Sequence, residues 1–181
     1  AISIFSDSYD DITDAEKRDA LVVFDEAHHA VASSWVKFTA VFTGPKVNLG
    51  GGAGTSYCAY HSAAKLTIGG VSRTVLYTAQ PYAASWPSAC TATNVSANGD
   101  LGADTQVNLI AHELTETTTD LLGNAWYDAV GRENADKCAW TFGAALGGTG
   151  GALYNQLING SRYYLQQDWS NKTARCVLTG L

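Results

Sequence analysis

The sequence predicts one α+β domain in which a central helix packs on a mixed sheet with hairpins. Three observations carry this prediction. A helical segment spans about residues 103–122 and is closed by Gly123, and β-rich runs flank Gly69-Gly70 and Asn159-Gly160. Helices and strands also follow one another in groups, which is the α+β order. A length of 181 residues suits a single domain over residues 1–181.

The N-terminal part predicts a strand followed by a helix. Residues 2–5 are typical of a short strand, and the capping box at Thr13–Glu16 begins a helix that continues to about residue 33. Apolar side chains recur three and four residues apart on this helix, and His28 belongs to that core-facing stripe. His29 can face an aspartate one turn earlier. Neither histidine therefore requires a ligand role.

The middle and the end of the chain predict strands around the central helix. Residues 35–42 alternate as a half-buried strand does, and residues 65–79 predict a hairpin. The glycine-rich run 48–54 lacks the G-x-G-x-x-G order, so it does not predict a nucleotide site. Residues 80–100 are rich in Pro, Ser and Asn and predict a loop. A second hairpin is predicted over residues 152–169.

Composition excludes two classes of partner. The formal net charge is −6 and the isoelectric point is near 5.0, whereas nucleic-acid binding needs clustered Lys and Arg. No apolar run approaches the roughly 20 residues of a membrane helix, and no basic amphipathic stretch would hold a membrane surface. The sequence therefore predicts a soluble protein without nucleic-acid or membrane partners. We expect it to be a monomer.

Three features predict a secreted protein. The numbering opens at Ala1 and the chain has no Met, which suggests a processed terminus from which a signal peptide has been removed. Three N-x-S/T sequons occur, at Asn94, Asn159 and Asn171. The cysteines form an even set of four, as in disulfide-bonded extracellular domains. We therefore expect disulfides and N-linked glycans.

Four cysteines permit three pairings. No pair has the C-x-x-C spacing of a zinc ribbon or a redox site. We favour the pairing that ties each half of the chain to itself, Cys58–Cys90 and Cys138–Cys176.

The candidate metal-binding and catalytic residues are concentrated in "LIAHELTETTTD", residues 109–120. On a helix, His112 and Glu116 lie one turn apart on the same face and could bind one metal ion together. Glu113 points about 100° away from His112 around the helix axis, as the general base of an H-E-x-x-H site does. Asp120 lies about 12 Å along the axis from His112, which is too far to share its ion, so we expect Asp120 to support the ligands from behind or to lie near the helix end.

A third ligand is needed to close such a site. Glu133 is the first candidate, with Asp136 three residues later. In the thermolysin-like metallopeptidases the third ligand is likewise a glutamate on a later helix, and a carboxylate beyond it steadies the histidine. His61, in "SYCAYHS" just before the hairpin, is the other candidate. The competing interpretation is a solvated acidic face without a metal.

Three segments carry a resemblance to a known family. They are "NGDLGADTQVNLIAHELTETTTDLLGNAWYD", "ENADKCAWTFG" and "YYLQQDWSNKTARC". Over roughly residues 55–180 the sequence resembles the phosphate-induced, EXORDIUM-like secreted proteins, most closely the fungal members. The resemblance implies an extracellular, cell-wall-associated protein. Many plant members lose the His-Glu pair, which this chain keeps.

The resemblance also implies site residues. The family's motifs fall on His112, Glu113 and Glu116, on Trp126, Tyr127 and Asp128, on Glu133, Asp136 and Cys138, and on His61.

The leading hypothesis is a secreted, zincin-like metallohydrolase, most simply a zinc metalloprotease acting on proteins or peptides. Glu113 would be the general base, and Tyr127 or His61 would stabilise the oxyanion. His112, Glu116 and Glu133 around a divalent ion sum to zero charge, which makes a bound water less acidic than in cationic zinc sites. The oxygen ligands also admit calcium or manganese.

Two other hypotheses remain. One is a non-catalytic EXORDIUM-like extracellular protein that uses a structural metal site or binds a ligand such as a cell-wall component. The other is a carbohydrate-binding module, which five tryptophans would allow: Trp35, Trp86, Trp126, Trp140 and Trp169.

Overall fold

The computed structural model describes residues 37–45, 51–68 and 70–179. The predicted strand at residues 2–5, the predicted helix at 13–33 and the interpretation of His28 and His29 lie outside these residues.

A three-stranded mixed sheet has the order β1-β3-β2. Its strands are β1 (Lys37–Phe42), β2 (Tyr60–Ile68) and β3 (Val71–Gln80). β2 and β3 form an antiparallel hairpin, and β1 pairs with β3 in parallel, with Lys37 opposite Val75. The predicted α+β class with a mixed sheet and a hairpin is confirmed.

The hairpin turns where the sequence predicted. Ile68 lies opposite Val71, so two glycines connect the strands, and Gly70 has a φ of +75° that favours a residue without Cβ. The predicted start at residue 65 was wrong, because β2 begins at Tyr60. The small side chains of Ser62 and the two alanines after it do not show the apolar alternation that marks a strand.

The segment 80–100 is not all loop, which corrects the prediction. Ala83–Ser85 form a 3₁₀ helix, and Pro87–Cys90 form the short helix α1 with proline at a position that tolerates it. The buried side chains of Ala83, Cys90 and Leu109 form an apolar cluster, against which Trp86 packs.

The central helix α2 is Leu101–Thr119, shifted towards the N-terminus relative to the prediction. It begins early because the Asp100 carboxylate accepts the Ala103 N–H at 3.0 Å and caps the first turn. It ends early because Asp120 leaves the helical conformation. The Asp120 side chain instead accepts the N–H groups of Asn124 and Ala125 at 2.6 and 2.9 Å.

One face of α2 is buried and packs against β2, β3 and the first 3₁₀ helix. Its buried positions recur at helical spacing: Gly102, Thr105, Asn108, Leu109, Glu113, Glu116 and Thr117. At Gly102 the Tyr82 ring comes so close that an added Cβ would lie 2.6 Å from its hydroxyl oxygen. Two glutamates on this buried face need a polar or ionic partner to justify their burial.

The C-terminal part consists of short elements. Asp136–Cys138 form a 3₁₀ helix. Four strands pair as two antiparallel hairpins: β4 (Gln156–Ile158) with β5 (Ser161–Tyr163), and β6 (Asp168–Ser170) with β7 (Arg175–Val177). The first turns at Asn159-Gly160, both with positive φ, which confirms the predicted turn.

Three asparagine side chains, which we call the asparagine clamps, hold this part together. Each clamp donates its Nδ2 to the carbonyl, and accepts at its Oδ1 the N–H, of one distant residue. The pairs are Asn98 with Arg162, Asn134 with Trp169 and Asn155 with Leu165. A side-chain amide thus replaces a strand partner where the chain has no regular sheet.

The two disulfides are Cys58–Cys90 and Cys138–Cys176, which confirms the favoured pairing. No cysteine is left free. Among the described residues, no helix is both long and apolar enough to cross a membrane.

Candidate metal centre

His61 faces two glutamates from distant parts of the chain. It lies within β2, opposite Thr78, and not before the hairpin as the sequence predicted. Its Nε2 lies 2.9 Å from Glu133 Oε1 and 3.8 Å from Glu116 Oε2. The His61 side chain is only 7% exposed.

His112 faces the other oxygen of the same glutamate. Its Nε2 lies 3.2 Å from Glu116 Oε1, the i, i+4 pair that the sequence predicted, and 3.4 Å from Asp136 Oδ1. The Asp136 backbone N–H also donates to Glu116 Oε1 at 2.9 Å. Glu116 therefore lies between both histidines and is fixed by the backbone of a third segment.

Glu133 and Asp136 are arranged differently from the thermolysin-like pattern. Glu133 lies in the loop before the 3₁₀ helix and not on a later helix. Asp136 contacts the His112 Nε2, the nitrogen that also faces Glu116, so it does not steady the ring from its far side. The Nδ1 atoms of both histidines are buried without a hydrogen-bond partner among the described residues.

The potential ligand atoms form two sets. His61, Glu116 and Glu133 form one, and His112, Glu113 and Glu116 form the other; within each set the atoms lie within 4.8 Å of one another. All four residues predicted as ligands thus lie in the cluster, although only Glu116 belongs to both sets.

Glu113 is buried beside the histidine that precedes it. It is 4% exposed, and its Oε2 has no hydrogen-bond partner among the described residues. Burial raises the pKa of Glu113 to about 8; the positive charge of His112 opposes the rise, and the carboxylates of Glu116, Asp136 and Glu133 add to it.

The pKa values of the other ionisable groups in the cluster shift in the directions expected from their neighbours. Burial alone would lower the pKa of His112, but hydrogen bonds to Asp136 and Glu116 raise it to about 10. The hydrogen bond to His112 lowers the pKa of Asp136. Burial and the neighbouring Glu116 raise the pKa of Glu133, although His61 opposes this. Without a bound cation, His112 supplies positive charge to an acidic cluster.

Asp120 and Tyr127 lie at the end of α2. Asp120 is fully buried, and although burial raises its pKa, the N–H of Asn124 and the Tyr127 hydroxyl hold it below the usual range. The Asp120 carboxylate in turn raises the pKa of Tyr127 to about 12. Tyr127 is 45% exposed and is not among the described residues that line the cleft. The predicted role of Tyr127 in stabilising an oxyanion therefore gains no support. His61, the other candidate for that role, does line the cleft.

A cleft of about 430 Å³ lies over these side chains. The run 54–61 forms one wall and α2 contributes the floor with His112, Glu113 and Glu116. The loop from Glu133 to Trp140 closes another side. Such a volume accommodates a small ligand or a few residues of a chain.

Two residues near the cluster were not predicted from the sequence to belong to the metal site. Asp168 on β6 accepts the Thr115 hydroxyl at 3.1 Å, and burial raises its pKa to about 6. Trp140 lines the cleft with a φ of +58°, rare for a bulky residue, and donates its N–H to the Gln166 side chain. No local spacing in the sequence marks either residue.

The four tryptophans that the structure describes do not form an exposed row. Trp86 packs against the core, and Trp169 lies under the Lys137 ammonium at 4.0 Å. Of the four tryptophans that the structure describes, only Trp140 falls in the exposed class. A carbohydrate-binding module therefore remains only a prediction.

Comparison with known proteins decides the family. The sequence profile described as "Phosphate-induced protein 1 conserved region" matches residues 27–179. The chain belongs to this family. It is 40% identical over 96 residues to "Protein EXORDIUM-like 3" of Arabidopsis thaliana. That match covers 45% of the chain and 28% of the relative, so the chain spans well under half of that relative's length.

The comparisons confirm the phosphate-induced, EXORDIUM-like resemblance. They do not bear on the zincin-like helix or on the fungal origin, which stay predictions. No solved structure matches the chain.

Proposed function

We propose that this member of the phosphate-induced protein family is an extracellular hydrolase that acts on proteins or peptides with divalent metal bound in the cleft. The metal ligands would be His61, His112, Glu116 and Glu133. One observation carries the proposal: two imidazole Nε2 atoms face the two oxygens of the buried Glu116 carboxylate, at 3.8 and 3.2 Å.

The donor set fits a divalent cation. Imidazole nitrogen and carboxylate oxygen are ligands of zinc, and a larger share of oxygen ligands also admits manganese or calcium. The buried glutamates of α2 need a counter-charge, which a cation would supply. Two neutral histidines and the carboxylates of Glu116 and Glu133 would balance one divalent ion.

A bound divalent metal supplies a Lewis acid and a more acidic water. Glu113 would take the proton of that water, because its Oε2 is free among the described residues and it lines the cleft. The balanced ligand charge predicts a less acidic water than in cationic zinc sites.

The extracellular part of the proposal rests on covalent chemistry. Both disulfides are of a kind that persists in oxidising compartments. The three sequon asparagines, Asn94, Asn159 and Asn171, are exposed.

The test compares the wild type with His112→Ala and with Asp100→Asn, which removes one negative charge at the helix cap. After secretion from a eukaryotic host, metal content is measured by elemental analysis, and casein hydrolysis is measured with and without a chelator. We expect metal and chelator-sensitive hydrolysis in the wild type and in Asp100→Asn, and neither in His112→Ala. A wild type that binds no zinc, manganese or calcium would exclude the proposal.

A non-catalytic metal protein is the second candidate, and one observation favours it. In the metal-free chain the raised pKa of Glu113, about 8, leaves that side chain protonated and unable to act as a base at neutral pH. Metal bound with full occupancy, but without hydrolysis of casein or of a peptide library, would establish this candidate.

A further inference from the structure

The cleft over the candidate metal site is acidic. No Lys or Arg is among the described residues that line it, whereas four carboxyl groups are: Glu113, Glu116, Glu133 and Asp136. The carboxylates of Glu116 and Glu133 would balance a divalent ion in the proposed site. The negative charge of Asp136 would then stay uncompensated, whether Glu113 is protonated or ionised.

Both basic residues of the segment 132–137 are engaged away from these carboxylates. Arg132 Nε lies 3.2 Å and Lys137 Nζ 3.7 Å from Asp128 Oδ2. Lys137 Nζ also lies 4.0 Å from the centroid of the Trp169 ring. Neither basic residue is among the described residues that line the cleft. This segment therefore contributes carboxylates to the cleft without contributing a cation.

Asp136 and Trp140 are accessible from the cleft that both of them line. The Asp136 side chain is 52% exposed, against 5% for that of Glu116 and 19% for that of Glu133. Trp140 is 43% exposed, and its left-handed backbone is held by Gln166, whose side chain accepts the Trp140 N–H. A ligand in the cleft can therefore contact this carboxylate and this ring.

A carboxylate and an indole ring both attract cations. Carboxylates form charge-assisted hydrogen bonds with ammonium and guanidinium groups, and the face of a tryptophan ring attracts the same groups. The chain itself contains one such combination, because Lys137 contacts both the Asp128 carboxylate and the Trp169 ring. Asp136 and Trp140 offer the same two chemical groups to a cation from outside the chain.

A second observation indicates that the cleft receives a polar ligand. Glu113 is 4% exposed and lines the cleft, yet its Oε2 has no hydrogen-bond partner among the described residues. Leaving a buried polar atom without a partner is costly. This oxygen therefore points to a ligand that carries hydrogen-bond donors, as a peptide does.

We propose that the cleft binds peptides through a Lys or Arg side chain, whose charged group contacts the Asp136 carboxylate and the Trp140 ring. Acidic side chains are disfavoured at the same position, because the cleft carries negative charge. This inference rests on the proposed function, since it names the substrate class of the same cleft. The preference does not require the ion: with Glu113 protonated, the other three carboxylates still outnumber the two histidines.

The test measures the binding of three dye-labelled peptides to the full chain by fluorescence anisotropy. The peptides are blocked at both ends and differ only at one central position, which is Lys, norleucine or Glu. The measurement is made in chelator, so that neither metal nor hydrolysis contributes. Each of the two contacts is worth roughly a factor of 2–5 at an exposed site, so we expect the Lys peptide to bind about tenfold more tightly than the norleucine peptide. The Glu peptide should bind most weakly, and salt should reduce the differences.

Four variants test the assignment to Asp136 and Trp140. Asp136→Asn and Trp140→Leu should each reduce the preference for Lys over norleucine severalfold. Asp100→Asn, the matched control, removes the same charge outside the described lining of the cleft and should keep the preference. Asp136→Lys should reverse the order, so that the Glu peptide binds more tightly than the Lys peptide. Circular dichroism verifies that the variants fold.

The outcomes separate this inference from the proposed function. Equal binding of the three peptides to the wild type would overturn the inference, and this measurement needs no variant. A preference for Lys that survives in both Asp136→Asn and Trp140→Leu would overturn the assignment of the contacts. A wild type that binds no metal and hydrolyses nothing, but prefers the Lys peptide, would overturn the proposed hydrolase and support the peptide preference.

Discussion

In the proposed metal site, Glu116 takes the place that a second histidine would occupy one turn after His112. In an H-E-x-x-H helix that position supplies an imidazole. Here a carboxylate offers two oxygens, and each oxygen faces a different histidine. The substitution lowers the positive charge of the site and lets one side chain of α2 contact two partners.

The roles of the two buried glutamates can be separated by amide substitution. We expect Glu116→Gln to lose metal, because it removes a charged donor shared by both histidines. We expect Glu113→Gln to retain metal while hydrolysis falls by about 10²-fold or more, the scale of general-base catalysis. Metal content and casein hydrolysis are measured on both. Full activity of Glu113→Gln, or equal metal loss in both variants, would contradict the roles.

Glu116→His gives a complementary test, because it restores the H-E-x-x-H set and adds back one unit of charge. Zinc should bind more tightly, and a more acidic bound water should shift the pH–rate profile of hydrolysis to lower pH. An unchanged or higher apparent pKa in that profile would contradict the charge argument.

The metal-free chain should lose stability as the pH rises. Burial raises the pKa of Glu113 from 4.5 to about 8, and hydrogen bonds to carboxylates raise that of His112 from 6.5 to about 10 despite its burial. The folded state therefore binds more protons than the unfolded state across this range. The melting temperature, measured in the presence of a chelator, should fall between about pH 5 and 10. In Glu113→Gln the fall at the lower pH values of this range should be smaller. A melting temperature that rises over this range would exclude the shifts.

At the scale of elements, α2 positions the site because both of its ends are fixed by aspartates. Asp100 caps the first turn, and Asp120 ends the helix four residues after Glu116. Local signals in the sequence located this helix, but they missed its ends by two or three residues, because the caps depend on side-chain geometry.

The N-terminal cap can be tested by stability alone. Asp100→Ala should lower the free energy of unfolding by about 1 kcal/mol, because it leaves the Ala103 N–H without its acceptor. Asp100→Asn is the matched control and should cost much less, since asparagine is also a good cap. Urea denaturation measures both. Equal losses in the two variants would show that charge matters more than the hydrogen bond.

The Cys58–Cys90 disulfide ties the cleft wall to α1, across a sequence separation of 32. Replacing both cysteines by serine should lower the free energy of unfolding by about 3–4 kcal/mol, because the unfolded chain gains freedom. Denaturant titration measures this, and the wild type should show no titratable thiol. Two reactive thiols in the native wild type would contradict the pairing.

The sequence could predict features that depend on neighbouring residues, but not contacts between residues that are distant along the chain. The turns at Gly69-Gly70 and Asn159-Gly160 and the i, i+4 pair on α2 follow from neighbouring residues. The parallel pairing of β1 with β3 and the contact of His61 with Glu133, 72 residues away, depend on packing that no local spacing encodes. The two residues Glu133 and His61 became candidates through chemistry and resemblance, and their convergence required the fold.

At the scale of the whole molecule, the surface suits a glycosylated extracellular protein. The sequon asparagines Asn94, Asn159 and Asn171 are exposed, and none is among the described residues that line the cleft. The chain secreted from a eukaryotic host should therefore lose mass on treatment with a peptide N-glycosidase and keep its metal content. Asparagine-to-glutamine variants assign each glycan, and an unchanged mass of the wild type would contradict this expectation.

The asparagine clamps make the molecule unequally vulnerable to chemical ageing. Asn134 and Asn155 are buried, whereas Asn98 is exposed and is followed by glycine, the neighbour that least hinders spontaneous deamidation. Conversion of Asn98 to aspartate would replace its Nδ2 donor with a charged oxygen facing the Arg162 carbonyl and the Asp104 carboxylate. Of the three clamps, a stored sample should therefore lose first the one that joins the loop before α2 to β5, while the residues of the proposed metal site remain chemically intact.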